Sequence, residues 1–232
     1  MTKKTPQLPG KWIIFSGAGL SSESGLSTYR SEDGLWANHS IQDVCHANTW
    51  RKNRSMVREF YNERWYEVLR AKPHAGHEWC ANMEKRGALL ITQNVDTLLE
   101  KAGAENVIHV HGRLDRYKCF NCDTRWYIEK ETPECCLMCG SEDIRVDVVF
   151  FGENAPAYKV MDHELSKLTN DDTLVIIGTS AEVVNPLHYL QSQPRILLID
   201  PAPPISLMKS ARVEVIKDNA KNIDKYLPLP IS

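Results

Sequence analysis

The stretch Trp12-Ile13-Ile14-Phe15-Ser16-Gly17-Ala18-Gly19-Leu20-Ser21-Ser22-Glu23-Ser24-Gly25 decides the fold. Its first five residues form a short, nearly unbroken apolar run, the pattern of a strand covered on both faces. Glycines placed directly after such a strand let backbone N–H groups approach a phosphate, and a helix starting there adds favourable potential. The usual dinucleotide fingerprint has a third glycine where this chain has Ser22. A plain tight turn therefore explains the loop about as well as a phosphate cradle does.

Runs of the same kind recur at 88–92, 107–110, 147–151, 173–178, 195–200 and 213–216. Between several of them lie stretches of helical period, at 75–86, 97–103, 159–169 and 186–192. This alternation predicts an α/β fold, a doubly wound parallel sheet. Two stretches interrupt it: 31–73, irregular and then helical over about 56–71, and 117–146, rich in cysteine. Neither offers an obvious sheet strand. The expected division is a large domain from 1–30, 74–116 and 147–232, with a helical module (31–73) and a cysteine module (117–146) forming a smaller one.

Composition narrows the function classes. Across 232 residues, 28 Lys+Arg against 30 Asp+Glu give a formal charge of -2, so no net positive field drives unspecific nucleic-acid or membrane binding. Apolar runs such as 174–177 and 196–199 are far too short to span a bilayer, and the first eleven residues lack a signal peptide's apolar segment. The expectation is a cytoplasmic protein without a membrane or specific nucleic-acid partner.

Five of the seven cysteines (Cys119, Cys122, Cys135, Cys136 and Cys139) fall between 119 and 139. Cytosolic thiols stay reduced, and an odd total argues against a disulfide framework. Cys119-x-x-Cys122 and Cys136-x-x-Cys139-Gly140 are two knuckles 13 residues apart, close to the spacing of a four-cysteine structural zinc site. Cys135 could replace Cys136, but the two-residue knuckle spacing and Gly140 favour Cys136.

Other strand exits end in polar residues: Gly178-Thr179-Ser180, Asp200, Gln93-Asn94-Val95-Asp96 and His111-Gly112. Ligands of open α/β sheets bind outside the carboxyl ends of strands, where an acidic side chain can accept ribose hydroxyls. Asp200 could equally cap the turn before Pro201. Strand alternation puts His109 and His111 on one side; a histidine suits proton transfer near neutrality, although one of the two could simply bond a carbonyl.

GAGLSSESGLSTYR, TQNVD, HVHG, the two C-x-x-C knuckles, VVFFGE and GTS occur in this order across nearly the whole chain. The sequence thereby resembles the sirtuin family of NAD-dependent protein deacylases. The resemblance implies a Rossmann-like domain joined to a small zinc-bearing domain, with NAD and an acyl-lysine protein or peptide meeting between them. It places Gly17, Ala18, Gly19, Tyr29, Arg30 and Trp36 around the cofactor, and Gln93 and Asn94 at the nicotinamide ribose. Asp96 would receive the carboxamide. Gly178, Thr179 and Ser180 would hold phosphate and adenosine ribose, with Asp200 and Ala220 about the adenosine. His111 would be the catalytic base, assisted by Asn94, while the substrate backbone would add as a strand along Val149, Phe151, Gly152 and Glu153. The short tails before residue 11 and after 227 suggest a near-minimal, monomeric core. The chain departs from the family at Ser27, where proline is usual, and at Asp200, where Asn is commoner.

The predicted helix at 56–71 carries an apolar stripe of Val57, Phe60, Tyr61, Val68 and Leu69, on which Arg64 also falls. A guanidinium there needs an anion, either an internal carboxylate or a ligand, unless it snorkels to water. Tyr61-Asn62-Glu63-Arg64 resembles the Y-x-x-R signature of sirtuins that remove succinyl, malonyl and glutaryl groups, where the pair holds the acyl carboxylate. The expected activity is desuccinylation or demalonylation, with or without deacetylation. The alternatives are a deacetylase with little desuccinylase activity, an NAD hydrolase or ADP-ribosyltransferase using the same ribose chemistry, and a non-catalytic NAD-sensing module.

Overall fold

A computed structural model describes residues 8–27, 40–209 and 212–229. The opening apolar run is strand β1 (Trp12–Ser16), which lies between β2 (Leu89–Thr92) and β7 (Thr173–Ile177). β3 (Val107–His109), β8 (Arg195–Ile199) and β9 (Val213–Ile216) complete a sheet of order β3-β2-β1-β7-β8-β9, with every pairing parallel. The chain winds outward from β1 through β2 to β3, then crosses back to β7 and outward again. The order therefore reverses between β1 and β7, the place where open α/β sheets bind ligands.

Near-continuous apolar strands follow from burial on both sides. Ile14, Leu90, Val175, Ile177, Leu197 and Ile199 pack with Trp79, Cys80 and Met83 of helix α4 (Ala75–Glu84). Their neighbours Ile13, Phe15, Ile91, Leu174, Ile176 and Leu198 face the opposite way, toward Met161 and Leu165 of α6 (Ala157–Ser166). Each such aliphatic side chain gains roughly 1.5–3 kcal/mol from burial.

The segment 147–151 does not join this sheet. Strand β6 (Ile144–Val148) pairs antiparallel with β4 (Gly112–Cys119), which pairs with β5 (Arg125–Tyr127), giving a separate sheet of order β5-β4-β6. The region read as strand-free thus contains strands. Its alternation is hidden because the register shifts between Gly112 and Tyr117 and because Arg145, though charged, is buried. Arg145 stacks 3.5 Å from the Phe150 ring centroid and bonds Glu153 at 2.9 Å, so a cation occupies what would otherwise be an apolar position.

Helix α3 (Arg54–Arg70) covers this small sheet with Val57, Phe60, Tyr61, Trp65 and Val68. Trp65 is an anchor the sequence reading omitted; its indole N–H donates to Lys130 O at 3.0 Å. Single turns α1 (Gly19–Ser22), α2 (Ile41–Val44), α5 (Leu98–Lys101) and α7 (Ile205–Met208) link the larger elements. The stretches read as helices at 97–103 and 186–192 shorten to α5 and a 3-10 turn, Pro186–Tyr189. No described helix is long and apolar enough to cross a membrane. Tyr29, Arg30 and Trp36 lie outside the described residues.

Candidate active site

The glycine loop after β1 and the loop after β7 close on each other at the switch point. Gly17 N–H donates to Ile177 O at 3.0 Å, and Gly19 N–H donates to Gly178 O at 2.8 Å. A Cβ on Gly19 would lie 2.7 Å from Gly178 Cα, and one on Gly178, whose φ is +57°, would lie 2.4 Å from Leu20 N. These glycines therefore serve the contact between two loops, and several of the N–H groups expected to face a phosphate are engaged within the protein. The paired loops form one wall of a 610 Å³ cavity, which Gln93, Asn94, His111, Ser180, Asp200 and Ala220 also line. Its volume falls within the roughly 300–1,000 Å³ of small-molecule sites. Asp200 lines the cavity, and its Oδ1 accepts Ala202 N–H at 2.8 Å, which is the turn-capping contact.

A buried hydroxyl ties the loops to the next strand exit. Ser21 Oγ donates to Asp96 Oδ2 at 2.9 Å, accepts from Asn94 Nδ2 at 3.2 Å and meets His77 Nε2 at 3.3 Å. His77 Nδ1 accepts His74 N–H, so its proton sits on Nε2 and the hydroxyl's three bonding positions are all used. Burial pushes the Asp96 carboxyl up, opposed by Leu98 N–H and the Ser21 hydroxyl. Gln93 reaches across to Thr179 Oγ1 at 2.8 Å.

His77 is fully buried, and its pKa is lowered from 6.5 to about 3, chiefly by burial and then by the neighbouring His74. A group depressed in this way stays neutral in the folded protein while the unfolded chain takes up a proton below about pH 6.5. Its contribution to stability is complete above that pH and lost progressively as pH falls toward 3. We expect about 2 kcal/mol of lost stability between pH 7 and pH 5 from this group. Denaturant titrations of the wild type and His77→Gln at the two pH values check this; an equal loss in both proteins removes His77 as the source.

His111 follows β3 and faces the same cavity. Its Nδ1 lies 3.0 Å from Gln93 O, and its Nε2 lies 2.7 Å from the Tyr158 hydroxyl. A carbonyl only accepts, so Nδ1 carries the proton and Nε2 presents a lone pair, here accepting from Tyr158. Burial lowers the pKa of His111, with the Gln93 carbonyl opposing, which keeps the ring neutral at pH 7. His109, on the same side of the strand, bonds Asn94 O at 2.9 Å and Glu100 Oε1 at 2.7 Å.

A smaller 70 Å³ cavity adjoins Asn94 and Asp96 and is lined by Phe60, Tyr61 and Arg64 from α3. Tyr61 donates to Cys45 Sγ at 3.2 Å and stacks on Phe150 at 5.4 Å. Arg64 Nη2 lies 3.1 Å from Glu67 Oε1 and 3.5 Å from Glu63 Oε2. The stripe arginine therefore already has internal carboxylate partners, and it also faces the cavity beside the Asn94 loop.

Val149, Phe151, Gly152 and Glu153 line the large cavity. Val149 N–H is taken by His111 O, while Phe151 N–H and C=O pair with Cys45 O and Ala47 N–H, each at 2.9 Å. Glu153 is anchored by Arg145 at 2.9 Å and by Phe150 N–H at 3.0 Å. Phe151 is 45% exposed and Val183 63% exposed, and both border this cavity.

Cys119, Cys122, Cys136 and Cys139 bring their four Sγ atoms within 4.8 Å of one another, with Cys119–Cys139 and Cys122–Cys136 both at 3.7 Å. Zn–S bonds of about 2.3 Å in a tetrahedron require S–S edges of about 3.8 Å, so the donor set fits zinc. Asp123 (φ 58°) and Gly140 (φ 70°) each follow the second cysteine of a knuckle in left-handed backbone, which lets the chain turn back around the thiolates. Cys135 is exposed and outside the cluster, as the spacing indicated.

A family model described as the Sir2 family matches residues 17–185, well over half of the chain. The chain belongs to the Sir2 family. An NAD-dependent protein deacylase of Campylobacter jejuni is 41% identical over 177 residues, covering 74% of this chain and 75% of its own. One of Helicobacter hepaticus is 39% identical over 210 residues, covering 80% and 82%. Among solved structures, a mutant Sir2 homologue in complex with ADP-ribose superposes with a TM-score of 0.84 at 29% identity, covering 99% of this chain and 98% of that one. A Sir2 homologue–NAD complex gives 0.80 at 29% identity, covering 94% and 88%.

In this Sir2-family chain the described residues expected at the cofactor, the substrate or the metal fall into three groups: the lining of the large cavity, the adjoining small cavity, and the cysteine cluster. Three further participants were missed. Tyr158 contacts His111 from a helix that carried no marker of function, Ser21 lay unassigned inside a recognised motif, and His77 was buried within a helical period.

Proposed function

We propose that this protein is an NAD-dependent protein-lysine deacylase that passes the acyl group to ADP-ribose, consuming NAD and one water and releasing nicotinamide, O-acyl-ADP-ribose and free lysine. One observation carries the reading: at the switch-point cavity, a neutral His111 presents Nε2 beside Gln93 and Asn94. The donor set suits a dinucleotide, with hydroxyls at Thr179 and Ser180, carboxylates at Asp200 and Asp96, and Ala18 and Gly178 in the cavity wall. When bound, NAD supplies a ribose C1′ from which nicotinamide can leave.

The chain's own residues then divide the work. Gly17, Ala18 and Gly19, with Tyr29, Arg30 and Trp36, border the diphosphate and nicotinamide ribose, while Gly178, Thr179, Ser180, Asp200 and Ala220 receive the adenosine half. Gln93 and Asn94 hold the ribose, and Asp96 receives the carboxamide. His111 accepts a ribose hydroxyl proton at Nε2, displacing the Tyr158 hydroxyl, because one lone pair cannot serve two donors. An acyl-lysine protein segment enters past Phe151 and Val183 and runs beside Gly152 and Glu153 as an added strand. Four thiolates would hold zinc with no open position, giving it a structural part only.

For the acyl group, Tyr61 and Arg64 favour a chain ending in a carboxylate, as in succinyl and malonyl lysine. A guanidinium binds a carboxylate bidentately, and the small cavity places it next to the Asn94 loop. The Arg64–Glu67 ion pair supports a second reading, preference for acetyl, since the cation is already neutralised. Arg64→Met separates the two. We expect kcat/KM on a succinyl peptide to fall roughly 10- to 100-fold while acetyl turnover changes by less than about threefold; equal losses on both peptides rule out the carboxylate-binding role.

A further inference from the structure

We propose that His109 is a positioning residue that grips the Asn94 main chain as a doubly protonated ring, two residues from a base, His111, that works as the neutral ring. The inference rests on the reading of Asn94 as part of the nucleotide site. The carbonyls of Gln93 and Asn94 are consecutive, and each faces Nδ1 of one histidine, at 3.0 Å from His111 and 2.9 Å from His109. The far ends of the two rings differ. Nε2 of His111 meets a hydroxyl, which can donate, whereas Nε2 of His109 lies 2.7 Å from a carboxylate oxygen of Glu100.

Carbonyl and carboxylate oxygens only accept, so both nitrogens of His109 must carry hydrogen for both contacts to be hydrogen bonds. The His109 side chain is 5% exposed, and a buried cation requires compensation. Glu100 of α5 provides it and is shared with Arg113 of β4 at 2.6 Å; Arg113 in turn binds Asp115 through two contacts, at 2.8 and 2.7 Å. Asp96, on the loop between Asn94 and α5, is the remaining acidic group acting on the ring. Against the upward push of burial, His109 and Arg113 hold the Glu100 carboxyl below its ordinary value, so Glu100 is the accepting partner.

His109 acts through Asn94. The Asn94 side chain reaches Ser21 at 3.2 Å while its carbonyl is fixed from behind by the ring. With one proton removed, the ring would have a single N–H for two acceptors, leaving either Asn94 O or Glu100 facing a lone pair.

Nitrogen-15 NMR of the histidine rings in the full-length protein tests this without turnover. At about pH 7.5, His109, assigned by its loss in His109→Asn, should show two protonated ring nitrogens, and His111 one protonated and one bare. A singly protonated His109 overturns the proposal. Kinetics test the positioning role: in His109→Asn the amide stands where Nδ1 stood and keeps a donor to Asn94 O, whereas in His109→Gln the donor points to Glu100 only. We expect the asparagine variant within about threefold of wild-type kcat/KM for NAD and the glutamine variant about tenfold lower, mainly in KM; equal activity of the two overturns it. If the glutamine variant does not fold, the ring spectrum of the wild type decides. A wild type that shows the doubly protonated ring yet releases no nicotinamide contradicts the NAD reading and leaves the ring assignment standing.

Discussion

Replacing His111 with alanine should lower the rate of O-acyl-ADP-ribose formation by roughly 10²- to 10⁴-fold, the usual contribution of a positioned general base. The expectation follows from the ring's two bonds. Gln93 O fixes the tautomer, burial keeps the ring neutral, and Nε2 is directed into the cavity, where among the described residues the Tyr158 hydroxyl alone bonds it. In the proposed mechanism the base would act on a ribose hydroxyl after nicotinamide has departed, so nicotinamide exchange should survive in the variant far better than product formation. The substitution also leaves the Gln93 carbonyl without its donor, costing about 1 kcal/mol of stability, too little to unfold a domain whose sheet is built around β1 and β7. Loss of exchange and product formation in equal proportion would mean that His111 organises the site and does not act as its base.

Removing the metal should be the more drastic structural change. Structural zinc in small modules contributes roughly 10–16 kcal/mol of binding free energy, comparable with the whole stability of a typical domain, about 5–15 kcal/mol. Cys119 ends β4, whose first residue, Gly112, directly follows His111, and Cys136 is buried in the core under α3. Melting of the knuckles should therefore reach the active site through a single strand. Cys136→Ala should lose its zinc and unfold well below the wild-type Tm, whereas Cys135→Ala should keep both properties. Metal content and thermal denaturation of the two variants check this; a Cys136→Ala protein that retains one zinc per chain at wild-type Tm contradicts the ligand set.

The parallel sheet was legible because its strands are buried on both faces, so WIIF, LLI, LVII and ILLI read as apolar runs without knowledge of their pairing. The small sheet was not, since its strands alternate around a register shift and one of its buried positions is an arginine held by aromatic rings and Glu153. The cavity-lining residues at strand exits were legible by position. What the sequence could not show was division of labour among neighbours. The glycines serve loop-to-loop contact, and Arg64 has Glu67 beside it through an i,i+3 spacing whose significance depends on which way both side chains turn. Tyr158 approaches His111 from 47 residues away along the chain, and no local pattern encodes such a contact.

In the proposed reaction the acyl group of a modified lysine ends on ADP-ribose. Its most direct test is mass spectrometry of the products formed by the purified protein from NAD and a succinyl-lysine or acetyl-lysine peptide. Nicotinamide, unmodified lysine peptide and O-acyl-ADP-ribose are expected in equal amounts; plain ADP-ribose with the peptide still acylated would contradict transfer to ADP-ribose.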